Sequence, residues 1–174
     1  MQTLSIGLSH TSAPIDLRER LAFSEEQIRA ALSRLSCGHL SGELGEMVIL
    51  STCNRIEIYA VSNQANFPEL EIFLSEARGV RRDEFITHLY HHKDGDVARH
   101  LFNVAAGLDS LVVGEPQILG QVTRSLELAR GQNTAGPVLN RLFQSAIHAG
   151  KRARTLTCVT NAAGCSQMRA GQLK

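Results

Sequence analysis

Ser51-Thr52-Cys53-Asn54 is a short polar stretch between two apolar runs, and it carries a thiol. A cysteine on a tight turn between strands can be exposed on one side and held by the sheet on the other. Backbone N–H groups of such a turn, with the cation of nearby Arg55, favour the thiolate, the nucleophilic form. The structural alternative is a buried strand-end cysteine behaving as a small hydrophobe. Cys37, Cys158 and Cys165 form no CxxC pair with one another or with Cys53. Their spacing suggests free thiols in a reducing compartment rather than a disulfide scaffold.

Histidines are the next group. His88, His91, His92 and His100 form a cluster in sequence, but a metal centre needs three or four convergent ligands. On a strand, His88 and His91 would point to opposite faces, so no metal is expected. His100 stands in a helical pattern beside Leu101 and Val104. It reads either as a half-buried helix residue or as an acid, base or donor facing a thiol.

The segment from Gly107 to Gln117 places Asp109, Ser110, Glu115 and Gln117 beside glycines that permit close approach of backbone or ligand. Such a loop could hold a small zwitterion, or be a solvated helix break. Arg141, Lys151, Arg152 and Arg154 make a modest basic patch. It could meet RNA phosphate, although cations near a helix C-terminus also suit the dipole. No GxGxxG follows a strand and no GxxxxGK[ST] occurs, so no apparatus for a dinucleotide or nucleoside triphosphate is visible.

These residues need a scaffold. Leu4, Ile6 and Leu8 alternate with Ser5, Gly7 and Ser9, predicting a half-buried strand. Ser24 and Gln27 form a capping box that opens a helix with Ile28, Ala31, Leu32 and Leu35 on one face. Cys37 to Gly45 has no periodicity and reads as a loop. Met47–Leu50 and Arg55–Val61 read as strands flanking the cysteine turn. Phe67–Gly79 reads as a helix, and His88–His91 as a further strand. Strand-helix-strand-strand-helix-strand is the order of a ferredoxin-like α+β sandwich, an antiparallel sheet with helices on one face.

A helical subdomain follows. Asp94 and Asp96 are candidate caps for a helix through Val97, Leu101 and Val104, which Gly107 and Gly114 interrupt. Pro116 suits a first helical turn, with Ile118, Val122, Leu126 and Ala129 behind it. Gly136-Pro137 starts another helix, with Val138, Leu142 and Ala146, and also Leu139, Phe143 and Ile147, as inward candidates. The expected organisation is therefore 1–93, 94–154 and a less patterned 155–174.

With 174 residues and 43% hydrophobic content, one good core or two small subdomains can form. A net charge of +1 does not announce a nucleic-acid binder, so any RNA contact must be local. Met1–Gly7 lacks the features of a secretory signal, and no window approaches a membrane span. A cytoplasmic protein is the simplest expectation.

Ser51-Thr52-Cys53-Asn54-Arg55-Ile56-Glu57-Ile58-Tyr59 resembles the active-site signature of glutamyl-tRNA reductases. Gly107 through Val122 (GLDSLVVGEPQILGQV) resembles the same family, as do His10-Thr11-Ser12-Ala13-Pro14 and Leu17-Arg18-Glu19. The likeness extends over roughly residues 3 to 155. It implies that Cys53 attacks the ester of glutamyl-tRNA(Glu) and holds glutamate as a thioester. NADPH then reduces this to glutamate 1-semialdehyde, the precursor of 5-aminolevulinate and tetrapyrroles. It further implies that Thr52, Asn54, Arg55, Ser110, Glu115, Pro116, Gln117 and Gln121 line the glutamate pocket, that His100 assists catalysis, and that product passes to glutamate-1-semialdehyde aminomutase. His88, His91 and His92 match no such role.

Thr155–Lys174 departs from the family. Leu156 stands where an acidic residue is typical, and Gly164 and Arg169 interrupt a small-apolar pattern. The nicotinamide-binding and dimerising domains are expected to be absent, leaving a monomer without reductive competence. The alternative to a working acyl-transfer domain is a remnant with only esterase activity or tRNA or partner binding.

Overall fold

A computed structural model describes residues 1–36, 44–63 and 66–156. The chain order is β1 (Gln2–Ser9), α1 (Ile15–Leu21), α2 (Glu25–Ser36), β2 (Leu44–Ser51), β3 (Arg55–Ser62), α3 (Phe67–Arg78), α4 (Arg82–Phe85), β4 (Tyr90–Lys93), α5 (Gly95–Ala106), α6 (Gln117–Gly131) and α7 (Pro137–Leu156). The four strands form one sheet in the order β2-β3-β1-β4, and every adjacent pair is antiparallel. This is the ferredoxin-like α+β arrangement expected from the element order. Among the described residues no helix is long and apolar enough to cross a membrane.

Alternation sorts the sheet into two faces. Leu8 sits opposite Ile56, Ile6 opposite Ile58 and Leu4 opposite Ala60, and together they make one apolar face. The other face carries Ser5, Gly7 and Ser9 of β1 beside Tyr59, Glu57 and Arg55 of β3. The half-buried strand expected at Leu4–Leu8 is instead buried on both sides, with Ser5 and Ser9 as inaccessible as their apolar neighbours. The cause is tertiary. Helices α5 and α7 pack over this second face, where Tyr59 meets Phe143 edge-on with ring centroids 5.1 Å apart. One continuous core therefore joins the sheet to α5–α7.

Local chemistry explains the element ends. The capping box forms: Ser24 N–H donates to Gln27 Oε1, and Gln27 N–H to Ser24 Oγ. Asp94 occupies the N-cap position of α5, but its carboxylate accepts the Thr3 N–H instead of a helix donor, tying the helix start to β1. Helix α7 is capped from the sheet, since Glu46 accepts from Val138 N–H and Leu139 N–H at 3.1 and 2.7 Å. A Cβ on Gly136 would lie 2.5 Å from that carboxylate, so the approach needs glycine. Pro116 caps α6 rather than lying in its first turn.

Other expectations shift. Helix α7 buries Leu139, Phe143 and Ala146, while Val138 is exposed. His88 falls in a 3-10 turn, Ile86–His88, and the last strand begins at Tyr90. Helix α1, with only Leu17 and Leu21 buried in seven residues, is too short to announce itself by periodicity. The loop expected at Cys37–Gly45 lies outside the described residues up to 43, and Leu44-Gly45 already belong to β2. Cys37, Cys158, Cys165, Gly164 and Arg169 also lie outside the described residues.

Candidate functional site

Thr52 builds the turn between β2 and β3. Its Oγ1 accepts the N–H groups of Asn54 and Arg55, both at 3.1 Å, and its own N–H donates to Arg55 O. The side chain thus replaces a strand ladder with a tight polar turn. Cys53 stands at the tip, exposed, while the Asn54 carbonyl accepts His10 N–H from the end of β1.

The cation that reaches this turn is Arg18 of α1. Its Nη1 donates to the Cys53 carbonyl at 2.7 Å and to Asn54 Oδ1 at 3.4 Å, and its Nε to Ala13 O. Ile15, Arg18, Glu19 and Ala22 line a cavity of about 190 Å³ with Thr52, Cys53 and Asn54. Sequence reasoning assigned Arg18 no role. The only signal for it was its place in the early Leu17-Arg18-Glu19 match.

Arg55 does something different from the expected task of biasing the thiol. Its side chain points to the α5–α7 side of the sheet and is only 1% exposed. Nη1 donates to Glu57 Oε1 at 2.9 Å and to Asp109 Oδ2 at 2.8 Å, and Nη2 donates to the Asp109 carbonyl. Burial alone would lower the guanidinium pKa, but Glu57 and Asp109 outweigh it and raise it.

Glu57 is the hub. Oε1 also accepts from Tyr90 and contacts His100 Nε2 at 2.8 Å, and Oε2 accepts from Tyr59. Burial pushes its carboxyl pKa up, but the His100 hydrogen bond and the Arg55 charge prevail, holding it well below the usual carboxylate range. Burial, followed by the charge of Glu57, raises Tyr59 and Tyr90 well above the ordinary phenol value, so both remain donors. A carboxylate only accepts, so His100 presents N–H to Glu57 at Nε2.

The histidines separate into distinct environments. His92 stacks on His100 with ring centroids 4.5 Å apart. His91 pairs with buried Glu71, which Arg82 also engages, and His88 Nδ1 meets Ser12 O. Among the described residues no group of three or more His, Cys, Asp or Glu side chains is placed to hold a metal ion.

The remaining expected positions lie on or beside the loop between α5 and α6. Ser110 is half-buried on it, the Glu115 and Pro116 carbonyls accept from Arg154, and Gln117 begins α6. Gln121 lines a separate cavity of about 160 Å³ with Ser51, Arg124 and Ser125. None of these five residues lines the Cys53 cavity, and no hydrogen bond joins His100 to Cys53. The structure therefore brings Thr52, Cys53 and Asn54 together, and separately His100, Glu57, Arg55 and Asp109. Arg154 is committed to the loop, so the expected basic patch reduces to Arg141, Lys151 and Arg152, all exposed on α7.

This geometry can present a nucleophile on a rigid turn, with a buried guanidinium and an oriented imidazole on the same strand's inner face. Comparisons with known proteins agree on one family. A family model described as Glutamyl-tRNAGlu reductase, N-terminal domain, matches residues 6–157. The chain is 45% identical over 161 residues to the glutamyl-tRNA reductase of Syntrophotalea carbinolica, covering 91% of this chain and 36% of that protein. It is equally identical over 161 residues to the enzyme of Trichodesmium erythraeum, covering 91% and 37%. The solved glutamyl-tRNA reductase from Methanopyrus kandleri superposes with a TM-score of 0.71 at 33% identity, covering 89% of this chain and 35% of that one. The chain thus spans a little over a third of the length of these relatives.

Proposed function

The chain belongs to the glutamyl-tRNA reductase family, matching its amino-terminal domain, and on that premise we propose that it performs the family's acyl-transfer step. Sγ of Cys53 attacks the ester carbonyl of glutamyl-tRNA(Glu). The C–O bond to the terminal ribose breaks, the ribose oxygen leaves carrying a proton, and glutamate stays on Cys53 as a thioester. The observation that carries this reading is the exposed Cys53 at the tip of a turn held by Thr52, Arg18 and His10, opening on a cavity. A nucleophile so fixed spends little entropy on reaching its attack geometry.

Arg55 takes the free side-chain carboxylate of the glutamyl group, because a guanidinium fork matches two carboxylate oxygens. Thr52 and Asn54 border the reacting carbon. Ser110, Glu115 and Pro116 of the α5–α6 loop, with Gln117 and Gln121 of α6, are the further residues this reading assigns to the glutamyl group, and reaching it from outside the Cys53 cavity requires the loop to move toward Cys53. His100, oriented by Glu57, accepts or returns the proton through Nδ1.

In full-length relatives NADPH supplies the hydride that converts the thioester to glutamate 1-semialdehyde, the precursor of 5-aminolevulinate and tetrapyrroles, for handover to an aminomutase. Without hydride, water cleaves the thioester, and the chain acts as a glutamyl-tRNA esterase.

Incubation with glutamate-labelled glutamyl-tRNA without NADPH, acid quench and intact-mass analysis tests this reading. The expected result is a glutamyl adduct on Cys53 that C53S cannot form. Release of tRNA by C53S at the wild-type rate would remove Cys53 as the nucleophile.

A further inference from the structure

The resting chain already fills the fork that the proposed substrate needs. Arg55 is 1% exposed, and its two terminal nitrogens face Asp109: Nη1 toward Oδ2 at 2.8 Å, Nη2 toward the main-chain carbonyl. The Asp109 side chain is 42% exposed, so this residue covers Arg55 from the solvent side. A carboxylate arriving from outside meets Asp109 before it meets the guanidinium.

Resting on the reading of Arg55 as the glutamyl-carboxylate site, we propose that Asp109 is an internal stand-in for the substrate carboxylate, a latch that the substrate displaces. Asp109 supplies from two groups the pair of acceptors that a carboxylate presents on one carbon. Exchange is favoured over addition on electrostatic grounds. Arg55 is already balanced by Glu57 and Asp109, and a third carboxylate against one buried guanidinium would face two like charges at close range.

The loop is built to lift. Gly107 and Gly114 both have positive φ, 76° and 82°, and Gly114 N–H closes the loop on Gly107 O at 2.9 Å. A Cβ on Gly107 would come within 3.2 Å of Gly114 Cα, so the base of the loop is pinched shut by glycines. Between them Leu108, Leu111, Val112 and Val113 are all exposed. Little apolar burial holds the tip down, so the Asp109–Arg55 contact is its main tether to the sheet. Arg154 fixes only the far end, at Glu115 and Pro116. Opening is thus linked to a free carboxylate on the acyl group, so glutaminyl esters, which carry an amide there, do not release the latch.

The test is calorimetric titration of the whole chain carrying C53A with L-isoglutamine, which keeps the side-chain carboxylate, and with L-glutamine α-amide, which lacks it. The latch predicts that Asp109→Asn tightens isoglutamine binding on the order of tenfold, the size of one charge-assisted hydrogen bond. The α-amide gains nothing, and R55K abolishes binding in both backgrounds. Affinity unchanged or weakened in D109N would overturn the latch and make Asp109 a residue that positions Arg55. In the C53A chain without the second substitution, methyl NMR signals of Leu111, Val112 and Val113 should shift on isoglutamine addition; static signals in a binding-competent chain would also overturn it. Tight binding by D109N with no Cys53 adduct from glutamyl-tRNA in the wild type would leave the latch standing and sink the thioester reading instead.

Discussion

Oε1 of Glu57 lies 2.8 Å from Nε2 of His100, linking the inner face of β3 to α5. The same oxygen accepts from Arg55 and Tyr90, so one buried carboxylate fixes an imidazole, a guanidinium and a phenol at once. Neither His100 nor Arg55 is oriented by its own backbone alone. Both are positioned through a side chain that a motif match reports only as one letter.

Glu57→Gln should lower stability by about 3 kcal/mol near neutrality, because it leaves Arg55 with one fewer charge partner in a buried site. The folded carboxyl titrates well below the unfolded value of about 4.3. As the pH falls past that value, the unfolded chain takes up the proton first. Stability fully present above it is then lost toward the folded value. The melting-temperature gap between wild type and E57Q should therefore narrow from pH 7 to pH 3. A gap constant over that range would mean that Glu57 is not ionised in the folded protein.

Gly7→Ala should destabilise by roughly 1–3 kcal/mol, the usual range for overpacking. Its Cβ would lie 2.8 Å from Glu57 Cγ and 2.8 Å from the Tyr90 ring. Urea denaturation should show a lower midpoint with an unchanged slope. Because the added methyl pushes on Glu57 and Tyr90 directly, the His100 imidazole NMR signal should move as well. A stability loss with His100 unmoved would mean that the strain is absorbed elsewhere.

Much of this was legible in the sequence where the information is local. The Ser24–Gln27 box, the strand alternation at Arg55–Val61 and the cysteine turn each depend on neighbours within a few residues. Asp109 meets Arg55 across 54 positions, and nothing in either segment's pattern declares that pairing. The double burial of β1 escaped for the same reason, since α5 and α7 cover a face whose serines and glycine look solvated. Arg18 and Arg154 were visible as cations, but a backbone carbonyl partner leaves no trace in side-chain spacing.

Arg18→Ala should lower the yield of the Cys53 adduct by at least about tenfold, as misplacement of a reacting group does, with little change in melting temperature. Arg18→Lys should not restore it. One ammonium cannot reach the Ala13, Cys53 and Asn54 oxygens that the guanidinium spans. The comparison is made by quenched-flow mass analysis of the adduct. Full recovery in R18K would reduce the role of Arg18 to charge alone.

His92 offers a direct probe of the inner cluster. Burial lowers its pKa, and the charge of His100, stacked 4.5 Å away, lowers it further. Its imidazole should titrate below the ordinary value of about 6.5 when followed by 1H–13C NMR. Because the folded state resists this proton, acidification through 6.5 should cost the wild type stability that His92→Asn retains. Replacing His100 by Asn removes the smaller of these two causes, so the His92 midpoint should rise partway and stop short of the unfolded value. An unmoved midpoint would mean that the two rings do not face each other in solution, and with that the orientation assigned to His100 by Glu57 would fail.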